Sequence, residues 1–406
     1  MTVAPSRPVP FVERVRIENY KSIAECDVTL GPLTVLLGLN ASGKSNFLDA
    51  LRFVVDAVEK SPEQAVLDRG GQDSVVTRIP ELARHLTIEL SLHLGAADRK
   101  SAAKVTYGFE LHFGEQPSRG LVEVAREWCR IEADGDSPGY SVVRGVAQDR
   151  ENGAELGRVV EPGQLWLGVA ATRSQWFRDL MLALRGMSFH ALDPTVMRVV
   201  AHNSEGTSLG RSGERLGDVL RVLAEGFPAA KQRIDDYLAA IVPGALGIDQ
   251  LSVADYSTVQ LRMADDATGR VVRFDADAMS DGTLRAAGLL AALFQPDSLV
   301  GYETLICVDE PELGLHPAAA GMLFDALTEA SQHVQVVVAT QSGDLLDRKD
   351  FDVSWSRIVE MQDGLTAISE VDDGVREVVA RKLATVGELL RANQLTPLPV
   401  RRYGSE

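Results

Sequence analysis

The segment Gly38-Leu-Asn-Ala-Ser-Gly-Lys-Ser45 constrains the fold of this chain more than any other feature. It matches the pattern G-x-x-x-x-G-K-[ST]. A nearly continuous apolar run at 33–37 precedes it, and a stretch with helical spacing of apolar residues, 46–60, follows it. A buried strand, a glycine-rich loop and a helix in this order wrap backbone N–H groups around an anion, and the helix directs its positive end at the same anion. We therefore predict a phosphate-binding loop.

Side-chain chemistry assigns roles within this loop. Lys44 is predicted to reach the β- and γ-phosphates of a nucleotide, and Ser45 is predicted to ligate Mg²⁺. The residues predicted to contact the nucleotide in this segment are Gly38, Asn40, Ala41, Ser42, Gly43, Lys44, Ser45 and Asn46.

Two carboxylates form a second candidate site. Asp309 and Glu310 directly follow the apolar strand predicted at 304–308. Ligands of open α/β sheets bind at the carboxyl ends of strands. Asp309 is suited to hold Mg²⁺ through its water shell, and Glu310 to polarise an attacking water. The pair alone also fits a solvated strand end, but its position after a phosphate loop favours catalysis.

Three segments together resemble the RecF/SMC/OLD branch of ABC-type ATPases, which includes predicted AAA family ATPases of bacteria. They are the phosphate loop, Met279-Ser-Asp-Gly-Thr-Leu-Arg285 (the signature segment) and Asp309-Glu-Pro-Glu-Leu-Gly-Leu-His-Pro317. The opening Ile17-Glu-Asn-Tyr-Lys-Ser-Ile23 is similar to the first strands of that branch. The resemblance covers 11–60 and 275–345, and the rest matches only in layout. It implies a P-loop NTPase core of the α/β class, with a mixed sheet flanked by helices, and ATP hydrolysis with ATP and Mg²⁺ as cofactors.

The resemblance also implies a partner. In the family, the signature segment faces the γ-phosphate of ATP bound to the other subunit, which implies that Ser280 and Gly282 contact nucleotide in a homodimer closed around ATP. Ser280 equally fits a helix N-cap, and the two roles are compatible. Glu312 and His316 lie in a loop that, by the same resemblance, meets its counterpart across the dimer. His316 alone also fits a structural loop histidine.

Gln341 is where the chain departs from the family, which usually carries a histidine after the strand that follows the acidic pair. The strand predicted at 334–339 is expected to end beside the phosphate loop, so Gln341 is predicted to lie near the γ-phosphate and to take part in catalysis. Glutamine can donate a hydrogen bond there, but it cannot become cationic. Slow hydrolysis is therefore expected. The alternative is that Gln341 only caps the strand.

Patterning divides the chain into four predicted parts. Residues 1–80 and 249–406 form the two parts of the ATPase core, 81–165 an antiparallel β insertion, and 166–248 a helical insertion. Within these parts, 174–242 is predicted to be helical. A hairpin is predicted to turn at Asp363-Gly364, and one last amphipathic helix to cover 375–390.

Composition excludes several classes of protein. The three cysteines lack metal-ligand spacing, which is typical of a reducing compartment. No apolar run approaches the about 18 residues that span a bilayer, and no secretory signal is recognised, so a cytoplasmic protein without membrane contact is expected. The net charge of −17 gives no indication of DNA binding, which would need a local basic patch.

Three functions fit these observations. The first is an ATP-driven dimeric switch in DNA repair or anti-phage defence, acting with a separate nuclease or effector protein. The second is the ATPase subunit of a membrane transporter, which the short signature segment disfavours. The third is a nucleotide-binding scaffold with little turnover, which Gln341 keeps open.

Overall fold

The computed structural model describes residues 11–95, 103–114, 122–133, 137–159, 161, 163–202, 206, 208–265, 268–348, 351–395 and 397. The strands are β1 Phe11–Tyr20, β2 Ile23–Thr29, β3 Leu33–Leu37, β4 His85–Leu94, β5 Ala103–Phe113, β6 Val122–Glu132, β7 Gly139–Val143, β8 Val146–Asp149, β9 Glu155–Arg158, β10 Met187–His190, β11 Ala201–His202, β12 Ala245–Val253, β13 Tyr256–Ala264, β14 Val271–Asp275, β15 Leu305–Asp309, β16 Gln335–Thr340, β17 Ser356–Gln362 and β18 Leu365–Ser369. The α-helices are α1 Lys44–Glu59, α2 Pro62–Leu67, α3 Gln72–Val75, α4 Leu167–Arg173, α5 Gln175–Arg185, α6 Pro194–Met197, α7 Leu216–Gly226, α8 Pro228–Ile241, α9 Asp281–Phe294, α10 Pro296–Leu299, α11 Ala320–Ala330, α12 Asp373–Ala380 and α13 Val386–Arg391. Short 3-10 turns cover Ala276–Ala278, Pro317–Ala319, Asp344–Leu346 and Val353–Trp355.

These elements form two units. The phosphate-loop unit contains the described residues of 7–187, 354–373 and 396–406. The signature unit contains the described residues of 188–353 and 374–395. The predicted α/β class, with helices, a mixed sheet and inserted antiparallel β and helical segments, is confirmed. The sequence-based domain limits at residues 80, 165 and 248 stay predictions.

The phosphate-loop unit contains an antiparallel sheet of eight strands in the order β2-β1-β4-β5-β6-β7-β8-β9. Alternation of apolar and polar residues gives this sheet one buried face, as in β4, where every second residue from Leu86 to Leu94 is buried. Strand β3 is buried throughout and pairs in parallel with β17, which forms a hairpin with β18. The turn of this hairpin is at Asp363 (φ 51°) and Gly364 (φ 80°), as predicted.

The signature unit places β15 beside β16 in parallel register, with β10 on the other side of β15. A second sheet joins β11, β12 and β14 to the strand β13. Helix α9 is buried along almost its whole length, because its sequence is apolar on every side. Within the described ranges, no helix combines the length and apolarity needed to cross a bilayer.

Two secondary-structure predictions were wrong. The span 174–242 is not only helical, since it also contains the short strands β10 and β11. These strands are stabilised by pairing with neighbouring strands, and the local sequence does not reveal such pairing. The predicted helix over 375–390 is two helices. Lys382 has a left-handed backbone (φ 57°), and Thr385 starts α13 with a capping box to Glu388.

Candidate active site

The phosphate loop leaves β3 at Gly38 and enters α1 at Lys44. Two of its residues have left-handed backbone conformations, Ala41 with φ 61° and Gly43 with φ 105°. The N-cap position of α1 is Gly43, which carries no side chain that could cap the first N–H groups of the helix. This is the strand, loop and helix geometry that the sequence predicted.

Close packing requires both glycines of the motif, and Gly43 also has a left-handed backbone conformation. A Cβ atom on Gly38 would lie 2.1 Å from the carbonyl oxygen of Val359 in β17. A Cβ atom on Gly43 would lie 2.0 Å from Oγ1 of Thr366 in β18. The β17–β18 hairpin therefore packs so closely against the loop that any larger residue at either position would displace it.

The polar side chains of the loop fit a phosphate. The Nζ atom of Lys44 is held in the loop, where it donates to the carbonyl oxygens of Gly38 (2.9 Å) and Leu39 (2.8 Å). The Oγ atom of Ser42 is buried and has no hydrogen-bond partner among the described residues. A buried hydroxyl without a partner costs free energy, and a phosphate oxygen would supply the missing bond. Ser45, the predicted Mg²⁺ ligand, is exposed at the same loop.

A network of hydroxyl groups supports the loop, and sequence reasoning missed it. Thr366 donates its hydroxyl to the carbonyl oxygen of Ser42 (2.9 Å) and lies 2.7 Å from the hydroxyl of Ser22. Asn46 in α1 donates to the same Ser22 hydroxyl (2.7 Å). Asn46 thus supports the loop through Ser22. Its contact with nucleotide stays a prediction. The only sequence signal for Ser22 is its place in the family-like opening segment.

In the signature unit, the acidic pair ends β15. Asp309 pairs in register with Ala339 of β16, and the N–H of Glu310 donates to the carbonyl oxygen of Ala339 (2.8 Å). Glu310 has a left-handed backbone with φ 48°. Such a conformation costs about 1–3 kcal/mol for a residue other than glycine and concentrates at functional sites. Asp309 and Glu310 are both half-buried.

Gln341 contacts the predicted catalytic carboxylate. Its Nε2 atom donates to Oε1 of Glu310 at 3.3 Å, and its side chain is exposed. The structure therefore brings the two predicted catalytic residues together within one unit. The role of Gln341 toward the γ-phosphate stays a prediction.

The signature segment starts α9. Ser280 is the N-cap, since its Oγ atom accepts from the N–H of Thr283 (3.1 Å). Ser280 and Asp281 are exposed, whereas the next three residues, Gly282, Thr283 and Leu284, are buried. Gly282 packs on the loop after Glu310, because a Cβ atom there would lie 2.2 Å from the carbonyl oxygen of Gly314. His316, in the same loop, caps the turn Pro317–Ala319 by accepting from the N–H of Ala318 (3.2 Å).

Comparisons with known proteins agree with this geometry. The family described as "AAA ATPase domain" matches residues 11–104, which include the phosphate loop. The family described as "AAA domain, putative AbiEii toxin, Type IV TA system" matches residues 215–347, which include the signature segment and the acidic strand end. Both family models describe AAA-type domains, so the chain is an ATPase, and its motifs resemble those of the RecF/SMC/OLD branch of ABC-type ATPases. No curated protein sequence matched this ATPase.

Solved structures of SMC head domains have the same fold as this ATPase. An SMC head bound to the C-winged helix domain of ScpA is 16% identical with a TM-score of 0.55; the match covers 90% of this chain and 100% of that one. An SMC head domain with an extended coiled coil, bound to the C-terminal domain of ScpA and derived from Pyrococcus furiosus, is 14% identical with a TM-score of 0.54. That match covers 92% of this chain and 100% of that one.

The contact between Gln341 and Glu310 leads to the first expected result. Replacing Gln341 with histidine should raise the steady-state rate of ATP hydrolysis, because a charge-assisted donor stabilises developing negative charge better than an amide does. If the histidine stabilises the transition state by about 1.4 kcal/mol more than glutamine does, the hydrolysis rate should rise roughly 10-fold. Gln341→Ala should be slower than wild type. Phosphate-release assays compare the three proteins, and equal rates in all of them would remove Gln341 from the site.

Proposed function

We propose that this ATPase is a switch that closes as a homodimer around ATP and opens on hydrolysis. ATP with Mg²⁺ is bound by the phosphate loop, where Lys44 neutralises the β- and γ-phosphates. Ser45 and Asp309 would hold the metal ion, directly and through water. Glu310 polarises the attacking water, and in this role accepts its proton.

The exposed start of α9 carries the proposal of a dimer. All residues of this helix are buried except Asp281 and Arg285, and Asp281 is exposed at its start together with the N-cap Ser280. Free N–H groups and a hydroxyl at a helix start bind anions. In the family that this chain resembles, the same segment faces ATP bound to the other subunit.

A separate partner protein completes the proposed switch. The two SMC heads that share the fold were solved bound to domains of ScpA, which supports a partner protein for this chain as well. The match to a family described as a putative AbiEii toxin of a type IV toxin–antitoxin system supports a role in anti-phage defence. DNA repair with a separately encoded nuclease is the other role that the resemblance supports.

A bulky residue at position 280 tests the dimer. Ser280→Arg should leave ATP binding by the monomer intact, but it should block ATP-dependent dimerisation and lower hydrolysis to background, because the arginine would collide with the facing nucleotide. Sedimentation velocity with and without ATP, together with phosphate release, measures both effects.

Two control variants distinguish the effect of a bulky side chain at position 280 from the effect of losing the helix cap. Ser280→Ala removes the hydroxyl, with its bonds to the N–H and hydroxyl of Thr283, at a cost of about 0.5–2 kcal/mol in stability. Because it adds no bulk, it should weaken ATP-dependent dimerisation less than Ser280→Arg does. Ser61→Arg changes another capping serine, at α2, and should behave as wild type. Full hydrolysis by Ser280→Arg monomers would refute a site completed by the second subunit.

A further inference from the structure

A second glutamate of the acidic segment is held by the strand beside it. Glu312 lies two residues after Glu310, in the loop between β15 and the turn Pro317–Ala319. Its Oε1 atom accepts a hydrogen bond from the hydroxyl of Thr340, the last residue of β16. Thr340 is fully buried and Glu312 is mostly buried, so water competes little with this bond.

The direction of this hydrogen bond follows from the partners of the hydroxyl. The Oγ1 atom of Thr340 accepts from the N–H of Ser342 at 2.9 Å. Its single proton is therefore free for Glu312, whose carboxylate accepts. An amide oxygen at position 312 could accept the same bond, whereas an apolar side chain could not.

The two glutamates are held by two consecutive residues. Thr340 binds Glu312, and Gln341 donates to Glu310 at 3.3 Å. Between the glutamates the chain turns sharply, since Glu310 has φ 48° and its carbonyl oxygen accepts from the N–H of Leu313 (3.1 Å). A left-handed residue keeps its conformation only where surrounding contacts hold it.

The far half of the same loop has its own anchor. The carbonyl oxygen of Gly314 approaches Gly282 so closely that a Cβ atom there would lie 2.2 Å away. Loss of the Thr340 bond would therefore release the half of the loop next to Glu310 and leave the contact with α9 in place. The Thr340–Glu312 bond thus acts mainly on the position of Glu310.

We propose that Glu312 is a positioning residue, held by Thr340, which fixes the turn at Glu310 so that its carboxylate stays oriented for water activation. This inference rests on the proposed role of Glu310 and goes beyond it, since it assigns a function to Glu312 and Thr340. Neither residue needs to touch ATP or water to act in this way.

Isosteric variants test the proposal. Thr340→Val keeps the shape of the side chain and loses the hydroxyl, so the kcat for ATP hydrolysis should fall about 10-fold, which corresponds to about 1.4 kcal/mol. The affinity for ATP should not change, because the phosphate loop is untouched. Thr340→Ser restores the hydroxyl and should restore kcat. Thr328→Val is the matched control, since the hydroxyl of Thr328 donates to the carbonyl oxygen of Phe324 within α11.

Variants of Glu312 distinguish positioning from chemistry. Glu312→Gln keeps an oxygen for Thr340 and should retain most of the activity, while Glu312→Ala should resemble Thr340→Val. If Glu312→Gln is as inactive as Glu310→Gln, the charge of Glu312 itself is needed, and the positioning role is wrong. This pair also decides the proposal should Thr340→Val fail to fold.

A double variant shows whether the effect passes through Glu310. In a Glu310→Gln background, Thr340→Val should cause no further loss of kcat, because the group that it positions is already gone. A full additional 10-fold loss would overturn the proposal, as would a wild-type kcat in Thr340→Val. A wild-type protein that does not hydrolyse ATP would instead refute the proposed function, so the two failures can be told apart.

Discussion

Lys44→Ala is expected to weaken ATP binding at least about 100-fold, which corresponds to about 2.8 kcal/mol. Lys44 is the cation of the phosphate loop, and its ammonium group is already held there by the carbonyl oxygens of Gly38 and Leu39. The lysine side chain therefore already lies in the loop before a phosphate binds. Alanine removes the charge and leaves the loop with only N–H and hydroxyl donors. Isothermal titration calorimetry with ATP and Mg²⁺ measures the change.

Two controls isolate the charge of Lys44. Lys60→Ala removes a cation just beyond the far end of α1, where the lysine side chain is about half exposed and pairs with Asp68, and it should bind ATP as wild type does. Lys44→Met keeps the apolar stem inside the loop and should be as defective as Lys44→Ala. Unchanged affinity in Lys44→Ala would show that the loop is not a nucleotide site.

The parts of the site that the sequence predicted are those built by neighbouring residues. The phosphate loop, the acidic strand end and the N-cap at Ser280 each depend on a few consecutive residues whose chemistry and spacing are visible in the sequence. The hairpin at Asp363 and Gly364 was predictable for the same reason, since both residues tolerate a left-handed backbone.

The supports of the site were not predictable, because they come from distant parts of the chain. Thr366 supports Ser42 across 324 residues of sequence, and Thr340 reaches Glu312 across 28. Threonine is common in strands, so its place in a strand carries no signal of such a role. Only the folded sheet shows which threonines meet the loops.

At Glu127, a local irregularity in β6 makes the alternation of buried and exposed residues a wrong guide to burial. Val122 and Val124 of β6 are buried, so strict alternation would place Glu127 on the exposed face. A register shift opposite Glu110 reverses the alternation and buries Glu127 instead. There it accepts from the hydroxyl of Tyr140 (2.7 Å), and burial raises its pKa to about 7. The sequence contains no signal for the shift.

Glu310→Gln is expected to lower the rate of ATP hydrolysis about 100- to 1,000-fold, within the range that general bases contribute. ATP binding should persist, because the variant leaves the phosphate loop unchanged. The amide is isosteric, tolerates the same backbone turn and keeps an oxygen that can accept from Gln341. The loss can therefore be assigned to the basicity of one carboxylate. With hydrolysis blocked, the ATP-bound dimer should accumulate, which sedimentation velocity detects as an ATP-dependent shift that ADP does not produce.

The comparison with other variants makes this result specific. Glu81→Gln, at an exposed glutamate of the phosphate-loop unit, should hydrolyse ATP at the wild-type rate and should form no persistent dimer. Combining Glu310→Gln with Ser280→Arg should abolish the trapped dimer while ATP still binds, because the trap needs both the intact nucleotide and the facing signature segment. A wild-type hydrolysis rate in Glu310→Gln would assign water activation to another residue. A trapped dimer that survives Ser280→Arg would place the subunit contact elsewhere on the chain.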